Sequence, residues 1–337
     1  MRISNTPQTM PPLPSETNVY KATTMEAPGK MALHVSDLPE PGDEEVRVKL
    51  EGSGVCASNV PLWEGRDWFN YPRAAGEPGH EGWGIIDAVG RNVDGLYLRQ
   101  RVTGLMYNAH ATHDIAHQNM LVTLPDFLDD KPFPGEPLGC AMNIFERSDI
   151  RKGDTVAIVG CGFLGLMLIQ LAKSSGATVV AVSQREFSLQ MARSCEADHL
   201  VKMDDHYQVI EKIKELTDGE LCQRVIECTG KEWPLNLAIQ LTGYNGKLVV
   251  AGFHQDGMRN IDLQTLNWRG IDMINAHERN PERYIQGIKK AIGAIQTGAL
   301  DPFPLITHTF SLEETEKAYE YLVQRPKGFV KALIMNS

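Results

Sequence analysis

The chain is short of cysteine and has no CxxC pair: its six cysteines stand at 56, 140, 161, 195, 222 and 228 of 337 residues. That spacing provides no disulfide framework, and with no export signal it places the protein in a reducing cytoplasm. Positive charge is also scarce. Lys and Arg total 33 against 43 Asp and Glu, a formal charge of −10, and no basic stripe breaks the pattern. Nucleic acid and acidic membrane surfaces are therefore excluded as expected partners. No apolar run is long enough to span a bilayer, because the longest, 156–171, is interrupted by Gly160, Gly162 and Gly165. Residues 1–18 are rich in Pro, Ser and Thr and lack an apolar signal-peptide core, so they read as a disordered leader.

What remains is long enough for two domains, each with its own core. From Tyr20 to about Leu124 the sequence is rich in strand signals. Val46-Arg47-Val48-Lys49-Leu50 alternates like a half-buried strand, and Arg101 to Met106 reads as another. Short strands separated by Gly and Pro predict a small, partly open β domain. Near Glu136 the texture changes. Strands at 155–159, 178–182, 224–228, 247–252 and 271–274 alternate with helices near 166–175, 187–195, 207–216 and 234–241. That alternation predicts parallel pairing and a doubly wound sheet. A helix from Pro281 to Thr297 and a closing segment, 312–335, return the chain to the first domain, leaving a cleft between the two.

Two motifs carry chemistry. Gly160-Cys161-Gly162-Phe163-Leu164-Gly165 follows a strand and opens a helix, the context in which GxGxxG binds a dinucleotide. Gly160 permits the tight turn, Gly162 lets a pyrophosphate approach the backbone, and Gly165 lets helix pack on strand. The acid that would grip a ribose 2′-hydroxyl at the end of the next strand is missing. Val182 is followed by Ser183, Gln184 and Arg185, a hydroxyl and a guanidinium suited to a 2′-phosphate. NADP(H) is expected to be preferred, with NAD(H) still possible. The second motif is Gly79-His80-Glu81-Gly82, a neutral imidazole and a carboxylate where a loop enters a strand, a ligand pair that suits zinc.

Together these features resemble the medium-chain zinc-dependent alcohol and polyol dehydrogenases over nearly the whole chain from Tyr20. Gly79 to Val93 is similar to that family's zinc signature, Gly54 to Asn59 to its first ligand segment, and Glu136 to Cys140 to its later one. The resemblance implies a GroES-like β-rich catalytic domain, 19–141 with 279–337, and an inserted Rossmann domain, 142–278. It implies one catalytic Zn²⁺ per chain, held by Cys56, His80 and Glu136, with Glu81 beside the metal and able to enter its shell. Ser58 matches the hydroxyl that takes the proton of the substrate oxygen. Thr229, Gly252, Phe253, Ala276 and His277 join the glycine loop as cofactor contacts by the same resemblance, and His254 is a further candidate to face the cofactor. Trp63, Trp68, Phe69 and Asn143 are candidates for the pocket. Cys140 reads as a buried core thiol.

Three positions depart from the family. Asn59 stands where Asp is common, Pro61 replaces a relay histidine, and the four-cysteine structural zinc lobe is absent. The expected reaction is hydride transfer between NADP(H) and a polyol, a sugar-derived or other secondary alcohol, or the matching ketone, by a homodimer or homotetramer. A zinc-free, NADPH-dependent enone or quinone reductase of the same superfamily and a cofactor-binding protein without turnover are the alternatives.

Overall fold

Alternation of apolar and polar residues builds the first sheet. The computed structural model describes residues 18–336, so the expected leader lies outside it but for Asn18. A hairpin of β1 (Val19–Ala27) and β2 (Lys30–Asp37) comes first. In β3 (Glu45–Gly54) Val46, Val48 and Leu50 are buried on one face, as the period-two pattern requires. One turn of helix, α1 (Val60–Trp63), precedes β4 (Gly82–Val89), β5 (Arg101–Gly104), β6 (His113–His117) and β7 (Leu121–Thr123).

Helix α2 (Gly135–Ser148) then leads into strict alternation. The order is β8 (Thr155–Val159), α3 (Phe163–Ser174), β9 (Thr178–Ser183), α4 (Glu186–Ser194), β10 (His199–Lys202) and α5 (His206–Leu216). It continues as β11 (Cys222–Glu227), α6 (Glu232–Leu241), β12 (Thr242–Val250), α7 (Leu263–Arg269) and β13 (Asp272–Asn275). The chain returns through α8 (Pro281–Gln296), β14 (Ile306–Ser311), α9 (Thr315–Gln324) and β15 (Lys331–Met335).

Two larger sheets result. One runs β14-β15-β3-β4-β5-β7, with β6 paired to β3; the other runs β10-β9-β8-β11-β12-β13. Every pair in the second is parallel. Its order reverses between β8 and β11, and the crevice beyond the carboxyl ends of those strands is where this topology binds ligands. The fold is thus a GroES-like β-rich unit joined to a Rossmann sheet. Apolar residues of β8 and β9 are fully buried from both faces, which explains why they read as unbroken hydrophobic runs.

Several elements differ from the sequence expectation. α3 begins at Phe163, three residues before the expected start, because Gly162 serves as its N-cap. β10, β14 and α9 were not expected. β10 is only four residues long, and β14 (Ile-Thr-His-Thr-Phe-Ser) has too little apolar content to signal a strand. Helix α2 runs unbroken through the 141/142 division drawn between the domains. It packs on α8, where a side chain on Gly139 would lie 3.1 Å from the Tyr284 carbonyl. No helix among the described residues is long and apolar enough to cross a membrane.

Candidate metal centre and dinucleotide site

Strand pairing brings the metal-type side chains together. Cys56 leaves β3 in an extended conformation and starts a short turn over Ala57–Asn59. His80 and Glu81 directly precede β4, which pairs with β3 so that Ser53 faces Gly82. One ligand atom from each of Cys56, His80 and Glu81 lies within 4.8 Å of the other two. The approach requires Gly54, since a Cβ there would stand 1.7 Å from Glu81 Oε2. Nδ1 of His80 is 2.9 Å from the Pro78 carbonyl oxygen, so Nε2 is its free ring nitrogen.

The charges in this cluster are unbalanced in favour of a cation. Burial opposes a charge on His80, but the Cys56 sulfur and then Glu136 and Glu81 outweigh it and raise the imidazole to about 10. Glu81 is fully buried. Its Oε1 accepts from Lys331 Nζ at 2.7 Å, and Oε2 lies 2.5 Å from the same nitrogen. A buried carboxylate next to thiol and imidazole fits a zinc ion by donor type.

Glu136 enters from the first turn of α2 and stands outside the three-atom cluster. Burial raises its carboxyl above the usual range, and the His80 charge opposes that rise. The reason for its offset is local: its Oε1 accepts from the Cys140 thiol at 3.4 Å, and that sulfur is 3.1 Å from Tyr284 Oη. Cys140 is therefore a neighbour of the site and not only core filling; burial first, and then Glu136, push its thiol well above the ordinary value. Ser58 Oγ donates to Cys56 Sγ at 3.2 Å, so the hydroxyl is already at the cluster. Its carbonyl accepts from Gln255 Nε2 of the other sheet's connecting loop.

At the crevice of the parallel sheet, Gly160 has φ +102°, and a Cβ on Gly165 would be 2.1 Å from the Gly160 carbonyl oxygen. Turn and close packing thus both require glycine. Gly162 caps α3, and Phe163 and Leu164 form its first turn. Ser183 is buried at the end of β9, Gln184 is exposed, and Arg185 is half-buried with Nη1 donating to the Phe329 carbonyl at 3.1 Å. Burial and then Arg325 lower Arg185 from its ordinary value, so two guanidinium groups share this corner. Thr229 N and Oγ1 both donate to Glu227 Oε1. Gly252 N donates to the Glu227 carbonyl at 2.7 Å, Ala276 is buried, and the Phe253 ring stacks on His277 at 5.0 Å.

Three further candidates have defined neighbours. Trp63 stacks on Tyr319 at 5.2 Å in the core. Asn143 lies against α8, where a Cβ on Gly287 would be 2.9 Å from its Oδ1. His254 is held between buried Glu227, 3.0 Å from its Nε2, and Arg259, 3.2 Å from its Nδ1. Trp68 and Phe69 lie together with ring centroids 5.9 Å apart, Trp68 exposed. Sequence reasoning overlooked Lys331 and Glu227. Lys331 is a lone charge in an apolar strand, and that was the available signal; Glu227 shares its strand with Gln223 and Arg224 and carried none.

Comparison with known proteins agrees with this geometry. Residues 42–126 match the alcohol dehydrogenase GroES-like domain and residues 164–292 the zinc-binding dehydrogenase domain. Sorbitol dehydrogenase of Halalkalibacterium halodurans is 27% identical over 329 residues, 88% of this chain and 93% of that protein. D-arabitol-phosphate dehydrogenase of Enterococcus avium is 26% identical, over 90% of this chain and 94% of its own length. The crystal structure of 2R,3R-butanediol dehydrogenase from Bacillus subtilis superposes with a TM-score of 0.82 at 22% identity, covering 94% of this chain and all (100%) of that one. Other solved structures of the fold hold NADP, NADH or NADPH. Both matched domains, in the order and spacing that the two sheets require, place the chain in the medium-chain, zinc-dependent alcohol and polyol dehydrogenase family.

Proposed function

We propose that the protein transfers a hydride between NADP(H) and a polyol, a sugar-derived or other secondary alcohol, or the corresponding ketone. The observation that carries this reading is the gathering of Cys56, His80 and Glu81, with Ser58 on the Cys56 sulfur, on the catalytic-domain side of the cleft. Cys56 and His80 would hold a catalytic zinc, with Glu136 or Glu81 as the third protein ligand. When bound, zinc supplies Lewis acidity toward the substrate oxygen and the nicotinamide accepts or donates the hydride.

The chain's own residues do the rest. Ser58 would hold the proton of the substrate hydroxyl, since its side chain is a donor and acceptor beside a metal ligand. Lys331 holds the Glu81 side chain in place by its contact with Oε1. The α3 N-terminus and the glycine loop would receive the pyrophosphate. Ser183, Arg185 and Arg325 form a neutral-to-cationic corner where an NAD-specific site carries an acid, which supports NADP(H) over NAD(H). The polyol class rests on the relatives, which include sorbitol and arabitol-phosphate dehydrogenases. Cytoplasmic location and a homodimer or homotetramer belong to the same reading.

The test is a turnover screen of C4 to C6 polyols, their phosphates and the matching ketones, with NADPH and NADH in parallel. Oxidation of at least one polyol or reduction of its ketone is expected. Activity confined to enones or quinones would favour the zinc-free reductase instead.

A further inference from the structure

Behind His80 runs a series of buried polar side chains that the reaction as derived does not use. Ser53, His110 and Tyr319 have no exposed surface, and Asn59 has 8%. They come from β3, the segment before β6, α9 and the turn after Cys56, so distant parts of the chain converge on one line. The line starts at the Pro78 carbonyl oxygen, which is 2.9 Å from His80 Nδ1 and 3.1 Å from Asn59 Nδ2.

The direction of each hydrogen bond follows from the one before it. A carbonyl oxygen only accepts, so His80 carries a hydrogen on Nδ1 and Asn59 presents its amide nitrogen. The second hydrogen of that nitrogen goes to Tyr319 Oη at 3.1 Å. The phenol oxygen accepts there, which leaves its own hydrogen for His110 Nε2, 3.0 Å away. His110 is a neutral imidazole, held down to about 3 by burial and then by the charges of His80 and Lys331. With Nε2 accepting, its one ring hydrogen is on Nδ1 and points to Ser53 Oγ at 2.8 Å. An aspartate at 59 could not serve this line. It would set an oxygen against the Pro78 carbonyl and would draw the Tyr319 hydrogen away from His110.

We infer that Ser53, His110, Tyr319 and Asn59 form a one-directional positioning chain that fixes the Pro78 carbonyl, the group that receives His80 Nδ1, and so presents Nε2 to the metal. The inference rests on the proposed reading of His80 as a zinc ligand. Its positioning residues act through the Pro78 carbonyl and touch neither substrate nor cofactor.

The test uses ¹⁵N-histidine-labelled full-length protein and long-range proton–nitrogen NMR spectra, with and without zinc. Wild-type His110 is expected as the neutral Nδ1–H form. Asn59→Asp is expected to move the His110 hydrogen to Nε2, and to weaken zinc roughly tenfold or more in competition with a chromophoric chelator, the scale for lost outer-shell support of a ligand. Tyr319→Phe, which breaks the line at its middle, is expected to weaken zinc similarly and serves if Asn59→Asp does not fold. A wild-type His110 protonated on Nε2 would overturn the chain's direction, and that measurement needs no variant. Unchanged zinc affinity in both variants, with wild type binding zinc, would overturn the positioning role. Wild-type protein that binds no zinc while His110 is Nδ1–H would instead count against His80 as a zinc ligand, which separates the two failures.

Discussion

Lys331 Nζ donates to Glu81 Oε1 at 2.7 Å, and neither side chain reaches solvent to any extent, at 5% and 0% exposed. The lysine also donates to the Val55 carbonyl at 3.0 Å and lies 5.1 Å from the Phe163 ring centroid. One cation thus ties the end of β3, the metal cluster and the opening of the dinucleotide helix. Removing one partner of a buried pair leaves the other charge uncompensated, at a cost of about 3–5 kcal/mol. Lys331→Met should therefore lose stability on that scale in metal-free protein and lose less when zinc-saturated, because the metal then faces Glu81. Denaturant melts with and without zinc check this. An equal loss in both states would separate Lys331 from the metal site.

Ser58 stands 3.2 Å from the Cys56 sulfur. Ser58→Ala should lower turnover by about a hundredfold or more, the scale for a lost acid–base group, while zinc content stays at the wild-type value. Steady-state rates with metal analysis of the same sample decide it; near-wild-type rates would assign the proton to another group.

Arg185 should discriminate the cofactor. A guanidinium gains charge-assisted hydrogen bonds with a 2′-phosphate, each worth about 1.5–3 kcal/mol. Arg185→Ala should raise KM for NADPH by about ten- to a hundredfold and hardly change KM for NADH. Tighter wild-type binding of NADH than NADPH at equal ionic strength would show that this corner reads an unphosphorylated ribose.

The glycine loop, the parallel sheet and the zinc-type residues were legible because each has a local signature: GxGxxG between strand and helix, alternating strands and helices, and His-Glu at a strand entry. Glu136 was legible in position but not in posture, since Cys140 and Tyr284, one turn away and on another helix, turn its carboxyl. Lys331 and Tyr319 lie about 250 and 260 residues from their partners Glu81 and Asn59. No periodicity or motif reports a contact at that separation.

Acid stability should depend on Asp87. Its side chain is half-buried between Arg47, 3.0 Å away, and His113, 3.4 Å away, while Glu40 shares the arginine at 3.3 Å. Burial raises the carboxyl, but the hydrogen bonds and charges of His113 and Arg47 outweigh it and hold it below the ordinary 3.8. Because the folded value is the lower one, the unfolded chain takes up this proton first. The contribution is fully present above about 3.8 and is lost as pH falls through the folded value. Asp87→Asn should flatten stability against pH in that acidic window while lowering it at neutral pH. Parallel curves for wild type and variant through the window would contradict the assignment.

The central claim is tested most directly by measuring zinc per chain and turnover in the same preparation, before chelation, after it and after zinc is restored. About one zinc per chain is expected, since the chain offers one cluster of this kind among the described residues. Chelation should abolish turnover, leave NADPH binding intact and be reversed by one equivalent of zinc. Full turnover by protein that holds no zinc would contradict the account.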